Sequence, residues 1–295
     1  MRKVTFLFLS LALTAVIVNA QDLTNKKGFT ILPEAGDFAL GFDAVPFFDF
    51  MLNAADIMTN AGQTAQHPGY VSGFSSVIVG KYFLEDDLAI RAKIGINSVS
   101  TKDVLYFKNP VDMFTNPTDP DSWGEVSDVT KGHDTWVLLS GGLEFRRGHN
   151  RLQGFYGGEV LLGFASERST YEYAVAIDAD AIANGYTNGD GTPLSPRFLS
   201  DKQSTEIGFG IRGFVGVEYF FAPKISVGAE FGWGFGVIAE GRSKVEVESW
   251  NAVDSVVETD IVDGTGKGVI FGFGVDDGIG RALAPSAALN LMFHF

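Results

Sequence analysis

From Leu88 to Asn97 apolar and polar positions alternate: Leu88, Ile90, Ala92, Ile94 and Ile96 fall on one side of an extended chain, and Ala89, Arg91, Lys93, Gly95 and Asn97 on the other. Period two over such a length predicts a strand with one apolar face. The same pattern predicts strands over 37–44, 70–83, 88–99, 134–146, 152–165, 204–221, 225–239 and 284–295, eight in all. In the fourth, Val137, Leu139, Leu143 and Phe145 oppose Trp136, Leu138, Glu144 and Arg146; in the seventh, Val227, Ala229, Phe231, Trp233 and Phe235 oppose Ser226, Gly228, Glu230, Gly232 and Gly234. One segment breaks the rule. Over 46–58, Phe47, Phe48, Phe50, Met51 and Leu52 lead a run with three- and four-residue spacing, which predicts a short amphipathic helix inside a loop.

The connections alternate between short (84–87, 147–151, 222–224) and long (46–69, 99–133, 166–203, 240–283). An even strand number with short turns at one rim and long loops at the other is what a transmembrane barrel requires, with both termini on the periplasmic side. The expected fold class is therefore all-β, an eight-stranded antiparallel transmembrane β-barrel with long extracellular loops and one short loop helix. Residues 1–20 carry Arg2 and Lys3, then an apolar run from Val4 to Val18 and a small residue at Ala20, the pattern of a secretory signal peptide cleaved before Gln21. Residues 21–295 then form the barrel domain.

The closing stretch, Ala284 to Phe295, sets Phe295, Phe293, Leu291 and Leu289 against His294, Met292 and Asn290. An alternating last strand ending on Phe resembles the terminal signal of bacterial outer-membrane barrels, and Phe293 and Phe295 carry that likeness. With its strand count and turn parity, the chain resembles the small OmpX and OmpW type barrels. The resemblance implies an outer-membrane location, contact with outer-membrane lipid and lipopolysaccharide, and passage through the barrel-assembly machinery during insertion. Asp254-Ser255-Val256 resembles the short O-glycosylation acceptor of Bacteroidota and points to that kind of Gram-negative source.

Composition narrows the chemistry. The chain has no cysteine, which removes disulfides, thiolate metal sites and thiol nucleophiles. A formal net charge of −14 argues against a nucleic-acid partner. An eight-stranded interior is about wide enough for side chains to fill it. Its inward positions hold Arg91, Lys93, Arg146 and Arg212 together with Glu144, Glu159, Glu206, Glu218 and Glu230. Buried charges persist when paired, so a carboxylate-guanidinium network plugging the lumen is expected. Inward glycines such as Gly208, Gly210, Gly232 and Gly234 leave room along one wall, which long side chains from facing strands are expected to fill.

The long loops hold most of the surplus acid. Asp178, Asp180 and Asp190 are oxygen-rich enough to suggest calcium but fit no EF-hand spacing, so no cofactor is expected. Gly208 to Gly213 reads G-x-G-x-x-G inside an alternating strand, the wrong setting for a dinucleotide site. His133-Asp134 beside Ser140 or Ser98 is the one catalytic constellation available. The leading expectation is a non-enzymatic accessory or scaffold subunit of an outer-membrane assembly, secretion or uptake machine, with loops or barrel wall docking on a protein partner. The apolar segment with Phe47 and Phe48 caps the barrel mouth, lies in the outer leaflet or docks on that partner. A narrow small-solute channel and a lipid A modifying enzyme are the alternatives.

Overall fold

The computed structural model describes residues 23–43, 77–264, 266–275, 282–283 and 289–295. The expected signal peptide and the apolar segment containing Phe47, Phe48, Phe50, Met51 and Leu52 lie outside the described residues. β-Branched and aromatic residues spaced by small or polar ones fit a pleated surface, and strands dominate what is described. They are β1 (Phe38–Asp43), β2 (Val77–Glu85), β3 (Leu88–Lys108), β4 (Glu125–His149), β5 (Leu152–Glu172), β6 (Arg197–Lys202), β7 (Glu206–Ala222), β8 (Ile225–Glu240), β9 (Lys244–Asn251), β10 (Val256–Asp263), β11 (Val269–Val275) and β12 (Leu289–His294). Among the described residues two short α-helices, α1 (Pro110–Thr115) and α2 (Ala179–Ala183), lie in the loops.

All twelve strands belong to one sheet. β1 pairs antiparallel with β2, β2 with β3, β3 with β4 and β4 with β5. β5 pairs with β7, β7 with β8, β8 with β12 and β12 with β1, so the path of pairs returns to its start. At that seam Phe295 donates to the Phe38 carbonyl at 2.7 Å and Phe38 to the Phe295 carbonyl at 3.1 Å. Beyond this path, β6 pairs with the far end of β5, β9 with β6 and β10 with β9, while β11 pairs with β8.

Burial follows the strand period, with its usual sense reversed. On β3, Arg91 and Lys93 are buried while Ile90, Ile94 and Ile96 are exposed. An apolar cluster including Val77, Val79, Phe83, Trp136, Leu138 and Met292 shares the inward face.

The alternation predicts eight strands, and twelve are present among the described residues. Each expected strand exists in its described part, but β3 runs on to Lys108, β4 begins at Glu125 and β5 reaches Glu172. β6, β9, β10 and β11 occupy stretches expected to be loop. Leu105 and Tyr106 are adjacent, and both are exposed. Neither face is buried there, so side-chain chemistry stops alternating while the backbone ladder continues in register to Lys108 opposite Glu125.

The last expected strand also differs. β11 pairs with Trp233 to Ala239 of β8, and β12 with Ile225 to Ala229, so two strands share one edge of β8. Between them in sequence, Ala282 and Leu283 are buried. Leu283 seats on the glycines: a Cβ added at Gly208 would lie 2.6 Å from its Cγ, and one at Gly210 3.4 Å from its Cδ1. The room beside these two glycines is thus taken by the chain's own detour, not by long side chains of facing strands. Gly216 and Gly232 do make room for long side chains, Phe155 and Arg212.

Candidate functional site

Side chains two residues apart share a strand face, and this spacing carries the inward charges. β2 supplies Lys81, β3 Arg91 and Lys93, β4 Glu144 and Arg146, β5 Glu159, β7 Arg212 and Glu218, and β8 Glu230; all are buried. Glu159 and Glu230 take the same three cations. Lys93 Nζ lies 3.3 and 2.8 Å from them, Arg212 Nη1 2.8 and 2.6 Å, and Arg91 3.5 and 2.8 Å. A second tier joins through Arg91, whose Nη1 is 3.3 Å from Glu144. Lys81 donates to Glu144 at 2.8 Å, and Arg146 to Glu218 at 2.5 Å.

Aromatic rings close the remaining directions. The Arg91 guanidinium sits 4.0 Å from the Phe214 ring centre, and that of Arg146 is 5.2 and 5.6 Å from Phe83 and Phe220. Removing a charge from water costs several kcal/mol per ion, offset only by several good partners. Each of the four carboxylates here has at least two cations within 4.0 Å.

Eight of the nine inward charges read from the sequence meet in this network. Glu206 stands at its edge, where its Oε2 accepts the Ala282 N–H at 3.0 Å. Lys81 is absent from the sequence reading. Carrying the alternation back from Phe83 through Lys81 to Val79 would have placed it inward. His294 of β12 also reaches in, 3.2 Å from Glu218 through Nε2. Ser226 donates to Glu218 and lies 3.2 Å from the same Nε2. Serine and carboxylate meet one ring nitrogen, so this trio lacks the two-sided geometry of a catalytic triad.

The catalytic set read from the sequence is not assembled. His133 Nδ1 is 2.9 Å from Ser100 Oγ and Nε2 is 3.1 Å from Thr135 Oγ1. Asp134 follows it on the strand and so takes the other face. Ser140 is buried, donating to Glu159 at 3.4 Å, and Ser98 is opposite Thr135. Gly208 to Gly213 lies within β7, with β8 and no helix after it.

The long-loop end is also built. Val175, Ile177, Ala181 and Leu194 form a small core with Phe107, Tyr186 and Trp250 packed on it. Arg197 ties it together, donating to Glu248 at 2.6 Å, the Val175 carbonyl at 2.7 Å and Asn188 Oδ1 at 3.2 Å. Asp128 accepts the N–H groups of Ala174 and Gly189 at 2.9 and 2.7 Å. Asp178 caps α2 by accepting the Ala181 N–H at 2.7 Å. Asp180 lies in the first turn of α2. Asp190 accepts the Thr192 hydroxyl at 2.6 Å, and these bonds to Thr192 hold its carboxyl below the usual range. Among the described residues no three His, Asp or Glu side chains gather as a metal site would need. Phe293 and Phe295 face outward, Phe293 with its ring centre 6.5 Å from that of Phe42.

No protein-family model matches the chain, and no curated protein does. Among solved structures it is similar to the outer membrane protein OprG from Pseudomonas aeruginosa at 10% identity, over 90% of this chain and 98% of that one, with a TM-score of 0.28. At that score the likeness bears on neither membership in a family nor function.

Proposed function

We propose that this chain is an integral outer-membrane β-barrel without enzymatic activity, a solid-cored anchor whose long-loop end docks on a protein partner. The observation that carries the membrane reading is the inversion of polarity. Ile207, Phe209, Ile211, Phe231 and Phe235 are each more than half exposed, whereas Arg91, Lys93, Glu144, Glu159 and Glu230 are buried. In water that arrangement exposes the apolar surface and hides the charge. In a bilayer it is the favourable one, provided every backbone group is bonded within the wall. A path of eight strand pairs that returns to its start supports this reading.

The docking reading rests on what lies beyond the ring. Bonded side chains fill the interior, which disfavours a channel, and the catalytic sets are incomplete. The β6, β9 and β10 extension is left, ending in a strand whose eight residues are all exposed. Among the described residues β10 is bonded on one side only, and such an edge can accept a partner's strand. An accessory subunit of a larger outer-membrane machine fits this form.

Affinity purification from outer membranes in mild detergent tests it. The intact chain is expected to bring down a stoichiometric partner that a chain lacking 244–263 does not. A lone monomer in several detergents would overturn the docking reading, and ion conductance in planar bilayers that persists in the deleted chain would favour a channel.

A further inference from the structure

The outward face carries a second charged array that neither the interior network nor the docking edge uses. Antiparallel partners directly opposite one another share a face. Register sets Ser100 of β3 opposite His133 of β4, His133 opposite Arg168 of β5, Arg168 opposite Lys202 of β6, and Lys202 opposite Lys244 of β9. One step further along, Lys102 stands opposite Lys131. On β3, β4 and β5 these positions continue the parity of Ile96, Leu139 and Phe164, so they lie on the same outward face, beyond Ile96, Val137 and Phe164 and short of Val104, Val129 and Tyr106. All five Lys and Arg side chains of the two rows are exposed.

Like charges directly opposite on a sheet repel, and here Arg168, Lys202 and Lys244 face one another on three consecutive strands in a chain of net charge −14. Few acids relieve them. Glu172 pairs with Lys131, and Asp263 lies 3.9 Å from Lys244. Arg168 directs Nε to Ser200 Oγ at 3.2 Å, and among the described residues Lys102, Arg168 and Lys202 have no carboxylate within ion-pair distance. Such a row is unfavourable alone and favourable with a multivalent anion laid across it. Arg168 stands four residues beyond Phe164, about 10 Å of rise on a tilted strand, which brings it from the hydrocarbon edge into the headgroup layer.

We infer that Arg168, Lys202 and Lys244, flanked by Lys102, Lys131 and His133, bind the phosphate groups of an outer-leaflet glycolipid. This inference rests on the membrane reading above. Native mass spectrometry of the intact protein in neutral detergent tests it, with bisphosphorylated lipid A and the same lipid stripped of phosphate as probes. Wild type is expected to retain the phosphorylated lipid. The Arg168→Gln, Lys202→Gln, Lys244→Gln triple variant is expected to bind it roughly fivefold more weakly per cation removed, about a hundredfold in all. A Lys26→Gln, Lys27→Gln control is expected to bind as wild type. Equal binding by the triple variant, equal binding of the stripped lipid, or displacement by equimolar inorganic phosphate would each overturn the site. Membrane fractionation of the same proteins separates the two failures. A triple variant that fractionates with the outer membrane and binds undiminished removes only this site, whereas a wild type absent from that membrane removes the membrane reading and the site together.

Discussion

Glu218 and Glu206 stand on the same face of β7 and are both buried. Glu218 answers to Arg146, Lys81, His294 and Ser226. Glu218→Gln leaves buried cations short of a carboxylate, and the expected loss is about 3–5 kcal/mol. Urea unfolding of this variant and of wild type from detergent micelles, followed by tryptophan fluorescence, checks it, and equal midpoints would refute it. Face assignment for these two glutamates was legible as period-two spacing. Which groups Glu218 meets was not, because Lys81, Arg146 and His294 come from three other strands.

Strand boundaries were legible only where the surroundings differ on the two faces. Within the apolar belt outward and inward positions demand different chemistry, so β3, β7 and β8 write their alternation plainly. Past Val99 that demand ends, and Lys102 to Lys108 reads as loop although it is laddered to β4. The same blindness hid β6, β9 and β10, whose place depends on one another and on β5. Arg197 of β6 is their tie to the loop core, through Glu248, Val175 and Asn188. Arg197→Ala is expected to loosen 173–196 by about 2–3 kcal/mol while leaving the ring intact. Limited proteolysis should then cut that loop at least several times faster, with the strands of the ring still protected; unchanged cleavage would mean that Arg197 does not hold the loop.

The ring and its extension are separable in the pattern of pairing, since none of the ring's eight pairings uses β6, β9 or β10. A chain lacking 244–263 is therefore expected to keep the heat-modifiable electrophoretic mobility of a folded barrel, and loss of that shift would show that the extension is needed for the ring. The two faces of each strand, the sign of the inward charges and the short turns follow from local covalent geometry, which puts residues i and i+2 on one side whatever lies opposite. Register adds what no local rule contains. It set Arg168, Lys202 and Lys244 in one row, put Leu283 onto the inward glycines, and continued the ladder where hydrophobicity had stopped signalling. Those contacts join residues far apart in sequence, and their free energy comes from partners that no window of the chain contains.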